Sequence, residues 1–269
     1  MSESYRAVDH KAWASAGLDA IQERHEMEYV NQEEDGADCL RGEWFIADDE
    51  ARTIIFGPNL LTSDPPLDSI LFNLEQVDRD SLWFTPTVID RFKRFEVWDY
   101  SHQNVLRLRV LGIDAKLVPI GYHPTLIRIT LSEEPDIDVL FYGSVNSRRG
   151  IVLDELRRRG AKVHQSFNIY GGERDELIAR SKLVLNMHYY DASVFEIVRC
   201  SFLMANKVAI VSETPIPFGF KAGISWAEYK GLADTCIELL QNEEERLITA
   251  AVGYDTIDEN GKYAHRGTD

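Results

Sequence analysis

The sequence predicts an α/β protein with parallel sheets, and two observations lead to this prediction. Short apolar segments of strand character alternate with segments of helix character from about residue 52 to residue 215. Parallel strands need a long crossover between them, usually a helix, so this alternation favours parallel sheets with helices on both faces. The alternation comes in two series, separated by the acidic, proline-containing segment SEEPDI. Two series predict two sheets.

The first series follows an N-terminal segment of residues 1–50, in which we predict a helix from about Tyr5 to Val30 and then an acidic stretch. Gly112 follows the second helical segment of the series, where glycine commonly ends a helix. The predicted strands are RTIIFGPNLL, DSILFNLEQ, FEVWDYS and AKLVPIG, and the predicted helices are TPTVIDRFKRF and HQNVLRLRVLG.

The second series predicts a second lobe of the same kind. Its tail, from Trp226, is predicted to be a further helix that is interrupted near Gly231. The predicted strands are DVLFYGS, AKVHQSF, KLVLNMHYY and KVAIVSE, and the predicted helices are SRRGIVLDELRRRG, GERDELIARS and SVFEIVRCSFLMAN. Together the series predict two Rossmann-like lobes with parallel sheets that face a cleft. The N-terminal lobe is assigned residues 51–122 and the C-terminal lobe residues 123–269.

The segment KLVPIGYHPTL joins the two series. A short apolar strand ends there at Pro119 and is followed by Gly121, Tyr122 and His123. We interpret these three residues as the hinge between the lobes, with His123 directed to the cleft.

The composition indicates a globular protein without a membrane-spanning segment. Of 269 residues, 44% are hydrophobic and 28% charged, and no apolar run reaches the roughly 20 residues that cross a bilayer. The N-terminus lacks the pattern of a secretory signal. Three cysteines at scattered positions fit neither a disulfide framework nor a zinc site, so we expect a cytoplasmic location. The formal net charge of −16 counts against nucleic acid as a partner.

Three segments resemble the glycosyltransferases of the GT-B fold, in particular the groups called family 1 and family 4-like. VWDYSHQNVLRLRVLGIDAKLVPIGYHPTL is similar to the family's strand, helix and hinge, although the family usually has Gly-Val-Asp at the hinge. DVLFYGSVNSRRGIVLDELRRRG is similar to the first strand, glycine loop and helix of the donor-binding lobe. LVLNMHYYDASVFEIVRCSFLMANKVAIVSE resembles the segment that faces the sugar nucleotide. The resemblance covers about residues 52–215.

The resemblance implies a glycosyltransferase that moves a sugar from a nucleotide-sugar donor of the UDP or GDP type to an acceptor. It also implies retention of the anomeric configuration, no metal and no cofactor besides the donor. The sequence does not identify the acceptor, and we expect a glycan, a lipid-linked molecule or a small molecule. Two alternatives stay open: transfer to a base of nucleic acid, as in phage enzymes, and a non-catalytic protein that binds nucleotide sugars or acts as a scaffold.

The glycine loop and the helix after it supply the groups that a diphosphate needs. Gly143 allows close approach of the backbone, and Ser144 follows it in the same loop. Arg148 and Arg149 stand at the start of the predicted helix, where N–H groups and cationic side chains bind phosphate. The resemblance implies that a basic residue in this region faces the diphosphate, so these four residues are predicted to bind the donor. The alternative is that both arginines are surface residues.

Glu196, His188 and Glu75 are the predicted catalytic residues. In the resembled family one glutamate near Glu196 contacts the donor sugar, and a second, about eight positions later, binds the ribose. Here Met204 stands at that position, and the next carboxylate is Glu213. His188 follows a predicted strand and can donate to a phosphate or sugar oxygen. Glu75 follows a strand of the first lobe and can orient an acceptor hydroxyl or act as a base.

Three further residues are candidates for the site. Arg199 lies three positions after Glu196, a spacing that allows an ion pair on a helix, and is included with the donor-binding residues. Asn186 alternates with His188 along the predicted strand and is a companion to it. His102 follows a strand of the first lobe in the way that Glu75 does.

Asp136 and Asp138 form an Asp-x-Asp pattern, which binds a divalent metal in the other large glycosyltransferase fold. In that fold the motif follows a strand, whereas here it precedes one. We therefore predict no metal site at these residues.

Overall fold

A computed structural model describes two compact units, one within residues 53–118 and the other within 126–264. Each unit has a parallel sheet with helices between its strands, which confirms the predicted α/β class with two parallel sheets. The predicted N-terminal helix, the hinge at Gly121, Tyr122 and His123, and the domain boundary all lie outside the described residues. The described ranges are 53–77, 84–118, 126–189, 195–214 and 222–264.

The first unit has a four-stranded parallel sheet in the order β1-β2-β3-β4. Thr85 and Ser101 start its two helices, and each side chain accepts a hydrogen bond from the N–H three residues later. Gly112, with φ of 78°, follows the second helix as predicted. The elements are β1 (Ile54–Phe56), a 3-10 turn (Pro58–Leu60), β2 (Ile70–Asn73), α1 (Pro86–Phe92), β3 (Glu96–Asp99), α2 (His102–Val110) and β4 (Ala115–Leu117).

Both helices of the first unit pack on the same face of its sheet. Ile55, Leu71, Val97 and Ala115 stand side by side in the strand register and form one apolar row. This row shares a single core with buried residues of α1 and α2. The strand order has no reversal, and right-handed crossovers then leave every helix on one face. The expectation of helices on both faces therefore does not hold for the described part of this unit.

A buried polar network holds the loop after β2. Asp99 accepts hydrogen bonds from Nδ2 of Asn73 at 2.6 Å, from Nδ2 of Asn104 at 3.3 Å and from the N–H of Ser101 at 2.7 Å. The same two amide groups donate to the carbonyl of Glu75, at 2.8 Å and 2.9 Å. The backbone of Glu75 is thus fixed by the side chains of Asn73 at the end of β2 and Asn104 in α2, and Asp99 at the end of β3 holds both amide groups.

The second unit has a five-stranded parallel sheet in the order β6-β5-β7-β8-β9. No helix in the described part of the chain combines the length and apolar character needed to cross a bilayer. The elements are β5 (Ile137–Tyr142), α3 (Ser147–Arg158), β6 (Val163–Ser166), α4 (Gly171–Ala179), β7 (Ser181–Asn186), α5 (Ile197–Ala205), β8 (Ile210–Glu213), β9 (Ser225–Ala227), a 3-10 turn (Tyr229–Gly231), α6 (Leu232–Gln241) and α7 (Glu243–Ala264).

The C-terminal tail differs from the prediction in two respects. Trp226 lies in a strand, β9, rather than in a helix, and the long helical stretch is broken again at Asn242. The Oδ1 of Asn242 accepts a hydrogen bond from the N–H of Glu245 at 3.1 Å, which is the contact of a helix cap. The cap lets α7 start as a separate helix immediately after α6.

Helices cover both faces of the second sheet. Apolar residues of α3 and α6 share a core with one face, and apolar residues of α4 and α5 share a core with the other; α7 adds Ala250 to the first core and Ile257 to the second. Strand β5 lies between β6 and β7, so the chain reverses direction across the sheet after β6. At such a reversal the loops after the two neighbouring strands diverge and leave a crevice at their carboxyl ends. The crevice after β5 and β7 is therefore where a ligand is expected in this unit.

The buried network around Asp99 generates a prediction about stability and pH. Burial raises the pKa of Asp99 from 3.8 to about 7, against three hydrogen bonds that favour the carboxylate. Between about pH 4 and pH 7 the folded state therefore holds a proton that the unfolded state has released. The stability from this group is complete below pH 4 and is lost as the pH rises to 7. We expect the free energy of unfolding to fall across this range by at most about 4 kcal/mol.

Chemical unfolding of the wild type, Asp99→Asn and Asp114→Asn at several pH values checks this expectation. Asp99→Asn should remove the decline, because its side chain does not titrate, whereas the exposed Asp114 is a matched control that should leave it in place. An Asp99→Asn protein whose stability falls between pH 4 and pH 7 as steeply as that of the wild type would contradict the assignment.

Candidate functional site

The turn after β5 brings the backbone close to two guanidinium groups. Gly143 has φ of 135°, and its N–H donates to the carbonyl of Ser166 on β6 at 2.9 Å. A Cβ atom at Gly143 would stand 3.7 Å from Nη2 of Arg199 and 3.8 Å from Nη1 of Arg149. The turn that was predicted as a phosphate-binding loop therefore lies beside positive charge.

Asn146 connects this turn to the segment after β7. Its Oδ1 accepts the N–H of Arg149 at 3.0 Å and so caps α3. Its Nδ2 donates to the carbonyl of Tyr189 at 2.8 Å. One side chain therefore starts the helix and holds the two sides of the crevice together.

Arg149 is buried, with 5% of its surface exposed, and its guanidinium group binds backbone carbonyls. Nε donates to His188 at 3.3 Å, Nη1 to Ser144 at 2.9 Å, and Nη2 to Met187. These carbonyls lie in the turns after β7 and β5. Arg149 thus supplies donors to backbone groups that extend beyond the strand pairing, and it brings a positive charge beneath the crevice.

Arg148 forms a bidentate ion pair with Glu213 at the end of β8. Nη1 donates to Oε2 at 2.8 Å, and Nη2 donates to Oε1. Nη1 also donates to the carbonyl of His188 at 3.1 Å. The guanidinium carbon stands 4.0 Å from the ring centroid of Tyr229, whose hydroxyl donates to the carbonyl of Arg148 at 2.8 Å. Arg148 is therefore held by charge, by hydrogen bonds and by an aromatic face.

His188 and Glu196 place buried polar atoms in the crevice without protein partners among the described residues. The side chain of His188 is buried, and neither Nδ1 nor Nε2 makes a hydrogen bond there. The Oε2 of Glu196 is also buried without a hydrogen bond, 4.0 Å from Nδ1 of His188. The other oxygen, Oε1, lies 3.7 Å from Nη2 of Arg149. Buried polar atoms are nearly always hydrogen-bonded, so these three atoms are exceptions among the described residues.

Arg199 provides the third guanidinium group at the crevice. Its Nη1 donates to Oδ1 of Asn186, the last residue of β7, at 3.2 Å, and its guanidinium carbon lies 4.8 Å from the ring centroid of Tyr142. Asn186 in turn donates to the hydroxyl of Ser212 at 3.1 Å. Asn186, which was predicted as a companion of His188, is thus a hydrogen-bonding residue that orients Arg199.

The structure brings most of the predicted site residues of the second lobe together. Glu196 is displaced from its predicted position, because it precedes α5 as the N-cap residue instead of lying inside the helix. The reasoning from helical spacing between Glu196 and Arg199 therefore does not apply, and Glu196 lies near Arg149 and His188. The predicted residues that lie together are Gly143, Ser144, Arg148, Arg149, His188, Glu196 and Arg199.

Glu75 and His102 belong to the first unit. Glu75 is half-buried after β2, and His102 is the exposed first residue of α2. Their predicted roles stay predictions.

Glu213 was not predicted as a site residue. All four residues of β8 are buried, including Glu213, and a buried carboxylate requires a cation or several donors. An acidic residue at the end of an apolar strand was therefore the sequence pattern from which Glu213 could have been predicted as a site residue.

Asp136 and Asp138 lie at the amino end of β5, at the opposite edge of the sheet. Asp136 accepts hydrogen bonds from Arg180 at 2.6 Å and 2.9 Å, which lower the pKa of its carboxyl group. Asp138 accepts from Nζ of Lys182 at 2.7 Å. Both carboxylates are thus bound by cationic side chains. Within the described ranges there is no group of three or more His, Cys, Asp or Glu residues that could hold a metal ion.

Comparisons with known proteins find similarity to viral proteins. No protein-family model matches the sequence. The chain is 27% identical over 215 residues to uncharacterized protein L140 of Acanthamoeba polyphaga mimivirus, covering 74% of this chain and 69% of that protein. It is 27% identical over 200 residues to uncharacterized protein L137 of the same virus, covering 68% of this chain and 26% of that protein.

Solved structures with similarity to the chain include two at low sequence identity. AviGT4, a glycosyltransferase involved in avilamycin A biosynthesis, matches 73% of this chain and 72% of its own, with 16% identity and a TM-score of 0.39. OtsA in its apo form matches 74% of this chain and 66% of its own, with 10% identity and a TM-score of 0.47.

The conformation of Gly143 generates a prediction about the turn. We expect Gly143→Ala to lower the free energy of unfolding by about 1–3 kcal/mol, because φ of 135° is strained for any residue with a Cβ atom. Gly150→Ala is the matched control on the same segment. Gly150 lies inside α3 with its nearest neighbour for a Cβ atom at 3.8 Å, so alanine there should stabilise by about 0.5–1 kcal/mol. Equal effects of the two substitutions in urea unfolding would contradict the assigned conformation.

Proposed function

We propose that the chain is a glycosyltransferase that binds a nucleotide sugar at the crevice after β5 and β7 and transfers the sugar to an acceptor hydroxyl group. One observation carries the proposal. Three guanidinium groups and the buried polar atoms of His188 and Glu196 meet at a single chain reversal of a parallel sheet. The resemblance of three segments to GT-B glycosyltransferases supports the same function.

The charge of the crevice favours an anionic ligand. Arg148, Arg149 and Arg199 carry three positive charges, and Glu196 and Glu213 carry two negative charges, so the difference is one positive charge. The chain as a whole has a formal charge of −16, which makes this place a local exception. A diphosphate is the anion that a glycine turn, a helix start and guanidinium groups commonly bind together.

The unpaired polar atoms favour a ligand that also carries hydroxyl groups. Nδ1 and Nε2 of His188 include one donor and one acceptor when the ring is neutral, and Oε2 of Glu196 is an acceptor. A hydroxyl group both donates and accepts, so a sugar can satisfy all three atoms. We assign His188 and Glu196 to the donor sugar and Gly143, Ser144, Arg149 and Arg199 to the diphosphate side of the site.

The proposed reaction exchanges one bond at the anomeric carbon for another. The bond from this carbon to a diphosphate oxygen breaks, and its electron pair leaves with the nucleoside diphosphate. The acceptor oxygen forms the new bond, and its proton passes to an oxygen of the departing diphosphate when the configuration is retained. Fixed guanidinium groups stabilise the charge that develops on the leaving group. Retention, independence of a divalent metal, a cytoplasmic location and a role of Glu75 in orienting the acceptor are parts of the proposal.

Ligand screening tests the proposed donor class. We expect UDP or GDP, and a sugar derivative of the same nucleotide, to raise the melting temperature, because a ligand that binds only the folded state stabilises it by about 2.7 kcal/mol at 100 times Kd. Slow hydrolysis of the matching nucleotide sugar, unaffected by EDTA, is expected without an acceptor. A melting temperature that no nucleoside diphosphate changes would contradict the proposal. Binding without any turnover would support the non-catalytic alternative.

Substitutions at the buried polar pair test the assignment of the sugar side. Glu196→Gln and His188→Gln should each lower kcat for donor hydrolysis by about tenfold or more, because each group is placed at the reacting sugar. Glu173→Gln, at an exposed residue of α4, is the control and should keep the wild-type rate. Wild-type kcat values in both variants would remove these residues from the site.

A further inference from the structure

The backbone of His188 lies beyond the end of the strand pairing. Strands β7 and β8 pair up to Asn186 and Ser212, and His188 follows two residues later. Its N–H and carbonyl therefore have no ladder partner on β8. In a buried segment such groups need other partners, and without them the backbone conformation would not be fixed.

One ion pair supplies partners to both groups. The N–H of His188 donates to Oε2 of Glu213 at 3.1 Å, and its carbonyl accepts from Nη1 of Arg148 at 3.1 Å. Arg148 and Glu213 are joined to each other by two hydrogen bonds. The side chains of Arg148 and Glu213 thus bind each other and the backbone of His188. They continue the hydrogen bonding between β7 and β8 beyond the last pair of backbone groups.

The guanidinium group of Arg148 has little freedom to serve a ligand as well. Both hydrogens of Nη1 are directed to protein acceptors, one on Glu213 and one on His188. The guanidinium carbon lies over the ring of Tyr229, 4.0 Å from the ring centroid. A phosphate group that bound this arginine would have to replace Glu213. The carbonyl of His188 would then keep only the hydrogen bond from Nε of Arg149.

We infer that Arg148 and Glu213 are a positioning pair that fixes His188 in the crevice, and that Arg148 reaches the reaction through His188 rather than by binding phosphate. The catalytic consequence rests on the proposed function, whereas the placement of the imidazole ring by Arg148 and Glu213 is independent of the proposed function. This role replaces the sequence interpretation of Arg148 as a diphosphate ligand. Arg149, whose three nitrogens donate to backbone carbonyls, contributes its buried charge, and Arg199 keeps the interpretation as a ligand.

Two substitutions distinguish a positioning role of Arg148 from direct binding of phosphate by Arg148, because the two roles predict different effects on anion binding and on function. Glu213→Gln keeps the shape and an acceptor but removes the charge that holds Arg148. If Arg148 binds phosphate, this change frees it and tightens anion binding. Arg148→Lys keeps the charge but removes the planar fork that contacts Glu213 and His188 together. If only charge matters, lysine retains function. Glu155→Gln, which breaks an exposed ion pair on the same helix, is the matched control.

The experiment combines three measurements on the full chain. These are kcat and KM for donor hydrolysis, calorimetric affinity for inorganic pyrophosphate, and the NMR signals of the His188 ring, identified by their loss in His188→Gln. We expect Glu213→Gln and Arg148→Lys each to lower kcat by about tenfold or more and to change pyrophosphate affinity by less than about threefold. Both should shift the His188 signals, and the double variant should be no slower than the slower single one. Glu155→Gln should change none of these.

Two results would overturn the inference: pyrophosphate binding by Glu213→Gln that is tighter by more than about threefold, or His188 signals that stay at their wild-type positions in both variants. A wild-type chain that binds no pyrophosphate and hydrolyses no nucleotide sugar would instead reject the proposed function. In that event the His188 signals still decide whether the pair positions the ring.

Discussion

The carbonyl groups that follow β7 need hydrogen-bond donors, and the way this need is met determines the character of the crevice. The carbonyls of Met187 and His188 extend beyond the last paired residue of the strand, and guanidinium groups of Arg148 and Arg149 donate to them. A buried guanidinium carries a charge that must be compensated. Glu213 compensates one of these charges directly, whereas Glu196 stands 3.7 Å from the other. Positive charge in the crevice is therefore a consequence of how the strand ends.

Because the carbonyls after β7 need donors, the arginines have a structural role as well as a proposed role in binding a ligand. The sequence left two alternatives, surface residues or ligand contacts, and Arg149 is a buried residue that organises the backbone. A cation fixed in this way is already in place before a ligand arrives, so little reorganisation is needed when charge develops on a leaving group. The unpaired atoms of His188 and Glu196 stand beside this charge. A ligand with both an anionic and a hydroxyl-bearing part suits that combination.

Local patterns made much of the fold predictable. The alternation of apolar strands and helices, and the glycine after β5, are readable within a few residues, and they located the crevice. Features that depend on distant parts of the chain, or on very short segments, were not predictable from the sequence. Glu213 acquires its role from Arg148, which is 65 positions away in the chain. The strand order that leaves α1 and α2 on one face has no local signature. Strand β9 has three residues and is followed by a long helical pattern. Glu196 was placed inside α5 because helix starts are read only approximately from sequence.

We propose that the crevice after β5 and β7 holds a nucleotide sugar, and a crystal structure of the chain with a bound nucleoside diphosphate would decide whether it does. We expect the diphosphate beside Gly143 and the guanidinium groups of Arg149 and Arg199, with Arg148 still bound to Glu213. A nucleotide bound at another edge of the sheet, with the ring atoms of His188 and the carboxylate of Glu196 far from it, would contradict the account.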